Sequence, residues 1–309
     1  MYDNLDMTLY KEATPGINLL ETIPQYLTNF TSGGTSKYGE YVNGYLDSLK
    51  VSITDNRVKI SDSSICKYFL NTNFRTLTKG DTKQAIQKIS DSLHLPFHLA
   101  NITRIDFSQN FIMKHDESLY YAYLGEAQYY NRLEQNNGLY FNNKLRQKLF
   151  YGKVHEQKQK RQLIPEIYQN KNVLRYELRF RKNLRKQFNQ AQITAGLLYD
   201  EKFYKDLVKR WRDEYLTIQK INSKIISMKP TGSKKEFANN LALFSILELG
   251  QSQVLTKVKE WQKTDKISKK QAYDLRTFVK GLTKIPIDEK GNELINELNR
   301  KVKDAARNY

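Results

Sequence analysis

The segment Val173–Arg181 (VLRYELRFR) constrains the fold most, because its side chains alternate strictly between apolar and charged. One side of an extended strand then carries the apolar set, Leu174, Tyr176, Leu178 and Phe180. The other side carries the charged set, Arg175, Glu177, Arg179 and Arg181. Such alternation is typical of a sheet with one face on a core and one polar face.

Similar patterns predict the neighbouring elements. Leu49–Ile60 alternates around Asp55-Asn56 and indicates a hairpin, and Thr78–Leu93 has the apolar spacing of a helix. Ile102–Met113 and Leu139–Val154 are predicted strands, and Leu197–Ile221 is a predicted helix. Beyond a breaker-rich stretch the chain shows the pattern of four short helices, Glu236–Leu249, Gln253–Trp261, Ser268–Leu282 and Glu289–Arg307. The predicted fold class is α+β: a mainly antiparallel sheet with flanking helices (residues 1–225), a linker (226–235) and a small helical accessory domain (236–309).

The charge of the chain predicts a polyanionic partner. Its 309 residues include 51 Lys and Arg against 33 Asp and Glu, a formal net charge of +18. Fourteen of the cations and only three acids lie between Lys144 and Lys186, interleaved with aromatic residues such as Phe150 and Tyr168. Cations mixed with aromatic rings suit a groove that neutralises phosphates and stacks bases.

Other features limit the class of protein. The single cysteine, Cys66, excludes an internal disulfide framework and any multi-cysteine metal site. The longest nearly apolar run, Leu241–Leu249, is about half of the ~20 residues that span a bilayer, and the first ten residues do not resemble a signal peptide. We therefore expect a cytoplasmic protein with no membrane partner.

Two carboxylates stand out for chemistry. Asp106 and Glu177 each lie on the polar side of a predicted strand, beside Arg104 and Arg179 respectively. The simplest interpretation of Glu177 is a surface ion-pair ladder. Two acids on neighbouring strands can, however, also hold a hard divalent cation together with substrate phosphate oxygens.

A tyrosine and a lysine lie between these acids in the sequence. If the strand through Tyr151 continues, Lys153 shares its face, and a nearby cation helps a phenol of pKa ≈ 10 to act as a nucleophile. A Tyr-x-Lys pair alone is weak evidence in a chain with 21 tyrosines. Core packing or base stacking is the alternative for any one of them.

The order of these motifs is more specific than any one of them. The three motifs are, in order, Arg104-Ile105-Asp106, Tyr151-x-Lys153-x-x-Glu156 and Leu174–Arg179. This order resembles the replication initiators of rolling-circle replicons, specifically the gene II family of filamentous phages and related phage and plasmid proteins. Ser63–Tyr68 also resembles the Gly-Ser-Leu-x-Lys region of that family, with Ser63 in place of Gly. The resemblance covers roughly residues 40–220.

The resemblance implies a function and a set of site residues. A tyrosine of that family nicks one strand at the replication origin, becomes linked to the 5′ phosphate and leaves a 3′-OH that primes synthesis. Here this implies Tyr151 as nucleophile, Lys153 as its catalytic companion, and Asp106, Glu177 and Glu156 as ligands of Mg²⁺ or Mn²⁺. The predicted DNA-contacting residues are Arg104, Lys148, Arg175, Arg179 and Arg181. The partners are single- and double-stranded origin DNA and a host polymerase, and a homodimer is left open.

Missing motifs separate this class from related enzymes. None of the four histidines forms a His-hydrophobic-His pair, and none is followed by Arg at the spacing that tyrosine recombinases need. No phosphate-binding Gly-x-x-x-x-Gly-Lys-Ser/Thr loop is present, so a host helicase is implied. Two alternatives remain: a DNA-binding initiator or repressor without enzyme activity, and an RNA-binding module that stacks bases on its tyrosines.

Overall fold

The fold is described from a computed structural model, which describes residues 1–36, 39–221, 231–282 and 290–308. Its strands are β1 (Tyr2–Tyr10), β2 (Asn29–Ser36), β3 (Gly39–Leu46), β4 (Leu49–Thr54), β5 (Arg57–Ile60), β6 (Asn101–Met113), β7 (Leu124–Ala127), β8 (Asn131–Gln135), β9 (Gly138–Asn142), β10 (Arg146–Gly152), β11 (Asn172–Phe180) and β12 (Ile218–Lys220). Its α-helices are α1 (Leu19–Thr22), α2 (Ile65–Leu70), α3 (Lys79–Leu93), α4 (Ser118–Tyr121), α5 (Lys153–Gln159), α6 (Leu184–Phe188), α7 (Glu201–Leu216), α8 (Lys234–Leu249), α9 (Gln251–Lys263), α10 (Lys269–Leu282) and α11 (Lys290–Arg307).

A single large sheet organises the first part of the chain. Within the described residues it has ten strands in the order β2-β3-β4-β5-β1-β6-β11-β10-β9-β8, and each neighbouring pair is antiparallel. A separate two-stranded sheet joins β12 to β7. The predicted α+β class with a mainly antiparallel sheet is confirmed. The chain neighbours β10 and β11 are also neighbours in the sheet, and β6 lies directly beside β11.

Helix α7 covers one face of the sheet with aromatic side chains. Its Trp211 ring lies 4.9 Å from the ring of Tyr176, and the Tyr176 hydroxyl donates a hydrogen bond to the Trp211 carbonyl at 3.0 Å. Phe150 on β10 stacks on Tyr176 with ring centroids 4.7 Å apart. All three side chains are fully buried, so this face is the main core, and the opposite face of β11 is left to its charged residues.

Local signals explain where the elements begin and end. The predicted hairpin at Asp55-Asn56 and the predicted strand over Ile102–Met113 are confirmed as β4–β5 and β6. The helix predicted from Thr78 is confirmed as α3, and its first turn has a reciprocal capping box between Thr78 and Asp81. Helix α7 begins after Asp200, whose side chain accepts from the Phe203 amide.

The predicted strand Leu139–Val154 is corrected at two places. The Asn143 side chain accepts from the backbone amides of Leu145 and Arg146, and this turn separates β9 from β10. The strand then ends at Gly152, and Lys153 is the first residue of α5. Side-chain pairs along this helix, from Lys153 and Lys160 to Glu156, favour the helical spacing over a continued strand.

The chain divides into two compact units. The first comprises Met1–Gln219 together with Glu297–Tyr309, and the second comprises Lys220–Asn296. In the second unit Leu243 and Ile246 of α8 pack on Val279 and Leu282 of α10. The helices predicted after residue 235 are confirmed. The predicted linker residues 226–230 and the predicted break at Ile285-Pro286 lie outside the described residues.

The last residues of the chain pack within the first unit. The hydroxyl of Tyr120 donates to Glu297 Oε2 at 2.5 Å, and the hydroxyl of Tyr215 donates to Asn299 Oδ1 at 2.7 Å. The helical unit is therefore an insertion between two stretches of the sheet unit rather than a C-terminal appendage. In the described part of the chain we find no helix with the length and apolar character needed to cross a bilayer.

Candidate active site

Three adjacent strands bring the predicted site residues to the polar face of the sheet. The register pairs Tyr151 of β10 with Arg175 of β11, and Arg179 of β11 with Asp106 of β6. Because side chains alternate along each strand, these residues share the face opposite α7. The hydroxyl of Tyr151 lies 3.2 Å from Glu177 Oε2, to which it donates a hydrogen bond.

Asp106 is completely buried and held by two arginines. Arg104 binds it through two contacts, Nε to Oδ1 at 2.9 Å and Nη2 to Oδ2 at 2.6 Å, and Asn4 donates to Oδ2 at 3.0 Å. Arg179 links both acids, because its Nε lies 2.6 Å from Glu177 Oε1 and 3.5 Å from Asp106 Oδ2. The pair of carboxylates thus fixes the two guanidinium groups in place.

Arg175 lies beneath these groups and is fully buried. Its Nη2 contacts Asp3 Oδ2 at 2.6 Å and donates to Ser108 Oγ at 2.7 Å, while Nη1 donates to the Asn73 carbonyl at 2.9 Å. Its Nε lies 3.7 Å from Glu177 Oε2. Arg175 therefore compensates the buried acids and has no surface to offer to DNA, in contrast to its predicted role.

Helix α5 contributes a lysine, Lys153, to the site. Lys153 is buried, and its ammonium group donates to Glu156 Oε2 at 2.8 Å. Although Lys153 begins a helix, it lines the same cavity as Tyr151. This cavity has a volume of about 430 Å³ and opens between α2, α5 and the polar face of the sheet. Its walls include Asp3, Asn4, Ser64, Lys67, Arg104, Tyr151, Lys153, Glu156, Lys160, Glu177 and Arg179.

Burial and neighbouring charges perturb the titration of the site. Burial raises the pKa of Tyr151 well above its usual value, and the nearby charge of Arg175 only partly offsets this, so the resting phenol is protonated. Burial and then the charge of Arg175 lower the pKa of Lys153 to about 8. Burial disfavours ionisation of Glu156, but Lys153 and other donors outweigh it and lower its pKa to about 2.

The two buried acids titrate in opposite directions. Burial and the adjacent charge of Glu177 raise the pKa of Asp106. Burial would also raise the pKa of Glu177, but the positive charges of Arg179 and Arg175 outweigh it and lower this pKa. Glu177, the acid that accepts from Tyr151, is therefore the member of the pair that ionises more readily.

The arrangement of these acids does not fit a divalent cation. Mg²⁺ and Mn²⁺ need several oxygens directed at one centre. Here both oxygens of Asp106 accept from Arg104, Glu177 Oε1 accepts from Arg179, and both oxygens of Glu156 accept from lysines. Across the described ranges, no group of three or more His, Cys, Asp or Glu residues is placed to hold a metal ion. The predicted Mg²⁺ or Mn²⁺ site at Asp106, Glu177 and Glu156 stays a prediction.

The remaining predicted DNA contacts separate into three groups. Arg104 and Arg179 line the cavity, and Arg181 lies beyond the end of β11 on a separate exposed groove. Lys148 must be corrected: it is fully buried on the α7 side, donates to the Glu214 carbonyl and to Thr217 Oγ1, both at 2.7 Å, and pairs with the Glu214 carboxylate. Lys148 lies three residues before Tyr151 in β10, and because side chains alternate along a strand, it points to the opposite face.

Sequence reasoning missed the contribution of the first strand. Asp3 and Asn4 reach the buried arginine and Asp106, although β1 is distant from both in the sequence. Alternation in β1 could not have identified both, because Asp3 and Asn4 are adjacent polar residues at a register shift between Tyr2 and Leu5. Ser64 and Lys67 entered only through the family resemblance, and both line the cavity.

Comparison with known proteins identifies a family for the chain. The chain has no significant match among curated proteins. A family model described as the N-terminal part of a phage replication-associated protein, the gene II protein, matches residues 1–213, which include every strand and helix that forms the cavity. Since this match covers more than half of the 309 residues, the chain belongs to this family of replication-associated proteins, the replication initiators of the filamentous-phage gene II kind.

Proposed function

We propose that this initiator nicks one DNA strand at a replication origin with Tyr151 as the nucleophile. The observation that carries the proposal is the 3.2 Å hydrogen bond from the Tyr151 hydroxyl to Glu177 Oε2 at a cavity that is also lined by Lys67, Arg104 and Arg179. Arg104, Arg179 and Lys67 give that cavity the charge needed to hold a phosphodiester. In the family that the chain resembles, a tyrosine is the attacking group.

The step balances with chain residues and water. The Tyr151 oxygen, oriented by its hydrogen bond to Glu177, attacks the phosphorus and releases its proton to solvent, and the bond from phosphorus to the 3′ oxygen breaks. Lys153 donates a proton to the leaving 3′ oxygen, for which a pKa of about 8 is well placed near neutral pH. Arg104 and Arg179 offset the charge that develops on the non-bridging oxygens.

The products explain a role in replication. The 5′ phosphate stays on Tyr151, and the free 3′-OH is a primer that a host polymerase can extend. Because the phosphotyrosyl bond conserves the energy of the broken ester, the same site can later rejoin the ends. A host helicase would separate the strands, since the sequence has no phosphate-binding loop for ATP.

Formation of a covalent adduct tests the proposal. The protein is incubated with Mg²⁺ and the labelled supercoiled origin of its own replicon, and the denatured products are examined for protein-linked DNA. We expect an adduct with the wild type and none with Tyr151→Phe, and mass spectrometry of the linked peptide should identify Tyr151.

Tyr140→Phe is the matched control, because Tyr140 lies beside Tyr151 in a neighbouring pocket and its hydroxyl donates to Asn137 rather than to a carboxylate. It should retain the adduct. An adduct on Tyr140, or one that survives Tyr151→Phe, would refute the assignment. Salt-sensitive DNA binding without any adduct would favour a binding protein without enzyme activity.

A further inference from the structure

A second concave surface lies where strand β6 begins and strand β11 ends. It has a volume of about 660 Å³ and is lined by residues 101–103, 181–186 and 191–193, together with Tyr10. Four of its side chains are cationic and exposed, Arg181, Lys182, Arg185 and Lys186, and none of the lining residues is acidic. We call this surface the basic groove.

Among the described residues, the cations of the basic groove differ from those of the active site because none of them forms an ion pair. Arg104, Lys153 and Arg179 each pair with a carboxylate. Within the described residues no ion pair involves Arg181, Lys182, Arg185 or Lys186, and the sequence has no acid between residues 178 and 199. Like charges that repel one another in the free protein lose this repulsion when a polyanion binds, so the groove favours such a partner.

The backbone of the basic groove is fixed rather than loose. Asn183 and Asn189 adopt left-handed conformations at φ +54° and +50° on either side of α6, and asparagine tolerates this region well. The Ile102 amide donates to the Ile193 carbonyl at 2.8 Å, which joins two walls of the groove. The cations therefore project from a concave frame that is already formed, which lowers the ordering cost of binding a phosphate backbone.

The basic groove lies in line with the active site. Strand β11 runs from Glu177 through Arg179 towards Arg181, whose amide still donates to the Leu145 carbonyl at 2.9 Å. Four residues of extended strand cover about 13 Å. Duplex DNA carries one phosphate charge per ~3.4 Å of axis on each strand, so this separation corresponds to about four nucleotides.

We propose that the basic groove binds the phosphate backbone of DNA flanking the nick, about four nucleotides from the scissile phosphate. This proposal rests on the proposed function for its register, but the binding itself does not require cleavage. The groove would hold the flanking DNA while the strand ends at Tyr151 are exchanged. Nothing in the family match identifies these residues as a DNA site.

Salt-dependent binding tests the proposal independently of nicking. All proteins carry Tyr151→Phe so that the DNA stays intact, and the probe is a mixed-sequence duplex of about 30 base pairs, titrated between roughly 50 and 200 mM salt. The groove variant is Lys182→Gln/Arg185→Gln/Lys186→Gln. The matched control is Lys202→Gln/Lys205→Gln/Lys209→Gln, which removes the same charge from exposed positions of α7, the helix that covers the other face of the sheet.

The expected result is a specific change in slope. The slope of log K against log salt is negative, and losing three phosphate contacts should make it shallower by about 2.7. Over that salt range the affinity of the parent should therefore fall about 40-fold more than the affinity of the groove variant. The control should keep the parental slope. An unchanged slope in the groove variant, or equal changes in both variants, would overturn the proposal.

The two proposals fail separately. If the slope changes as expected but the wild type forms no covalent adduct, the groove is a DNA site and the nicking proposal is wrong. If the adduct forms on Tyr151 and the groove variant binds like its control, the nicking proposal stands and the groove is a solvated basic surface.

Discussion

Replacing the buried Arg175 should test whether the polar face depends on charge compensation. Arg175→Met keeps a side chain of similar length but removes the cation beside Asp3 Oδ2 at 2.6 Å and Glu177 Oε2 at 3.7 Å. It also removes the donors to Ser108, Asn110 and the Asn73 carbonyl. Breaking a buried pair from one side leaves an uncompensated charge and costs about 3–5 kcal/mol. For a unit of this size the melting temperature should fall by about 6–20 °C.

The assay must report on the sheet unit alone. The chain has two tryptophans, and Trp211 is fully buried on the sheet while Trp261 is partly exposed in the helical unit. In a Trp261→Phe background, urea unfolding followed by tryptophan fluorescence therefore measures the unit that contains Arg175. The control is Arg57→Met, an exposed arginine, which should change the free energy of unfolding by less than about 0.5 kcal/mol.

A second substitution separates compensation from packing. Asp3→Asn removes one of the two charges that Arg175 neutralises, so it should be less costly in the Arg175→Met background than in the parent. A cost below about 1 kcal/mol for Arg175→Met, or strictly additive effects of the two changes, would refute the view that Arg175 compensates buried acids.

Four further results are expected. Lys148→Met should lower the free energy of unfolding by about 1–3 kcal/mol, because Glu214 loses a buried partner. The slope of log K for DNA binding against log salt should stay unchanged, and a change in this slope would show that Lys148 contacts DNA. Lys153→Gln should slow adduct formation by about 10²–10⁴-fold in single-turnover assays, and a 3′-thiolate leaving group should restore most of the rate; no rescue would show that Lys153 is not the acid. Gly138→Ala should destabilise the β9–β10 hairpin by about 1–3 kcal/mol in urea unfolding, because a Cβ at Gly138, with φ +156°, would lie 2.4 Å from the Phe150 carbonyl oxygen; an unchanged midpoint would contradict the geometry. Chelation with EDTA tests the predicted metal. If EDTA abolishes adduct formation and Mg²⁺ or Mn²⁺ restores it, the acids bind a cation after their arginines move. If adduct formation is unchanged, the reaction needs no divalent cation.

The regular pattern of β11 explains why much of the fold was predictable. Strict alternation identifies a two-faced strand without knowledge of its neighbours, and the capping residues of α3 mark its start locally. Asp106, Tyr151 and Glu177 were likewise predicted to lie on neighbouring strands of one sheet. Antiparallel pairing of β6, β11 and β10 places the three side chains on the same face.

The failures concern positions where the local pattern was incomplete. Lys148 lies in a basic segment, yet it faces the core because its position in β10 puts it on the α7 side. Lys153 was expected on the same strand face as Tyr151, but the strand ends at Gly152 and a helix brings the lysine to the cavity instead. Net charge does not distinguish a lysine that binds phosphate from one that pairs with a buried acid.

The sequence by itself determined the class of fold, the two faces of the central strand, the positions of Tyr151 and the acids, and the excess of positive charge. Only the tertiary structure decided which cations are available. Arg175 and Lys148 neutralise buried acids, Arg104 and Arg179 are held at the cavity by Asp106 and Glu177, and the basic groove is left without counter-ions among the described residues. The physical reason is that an ion pair depends on the distance between residues remote in the sequence, and that distance is set by strand register and by the packing of helices on the sheet.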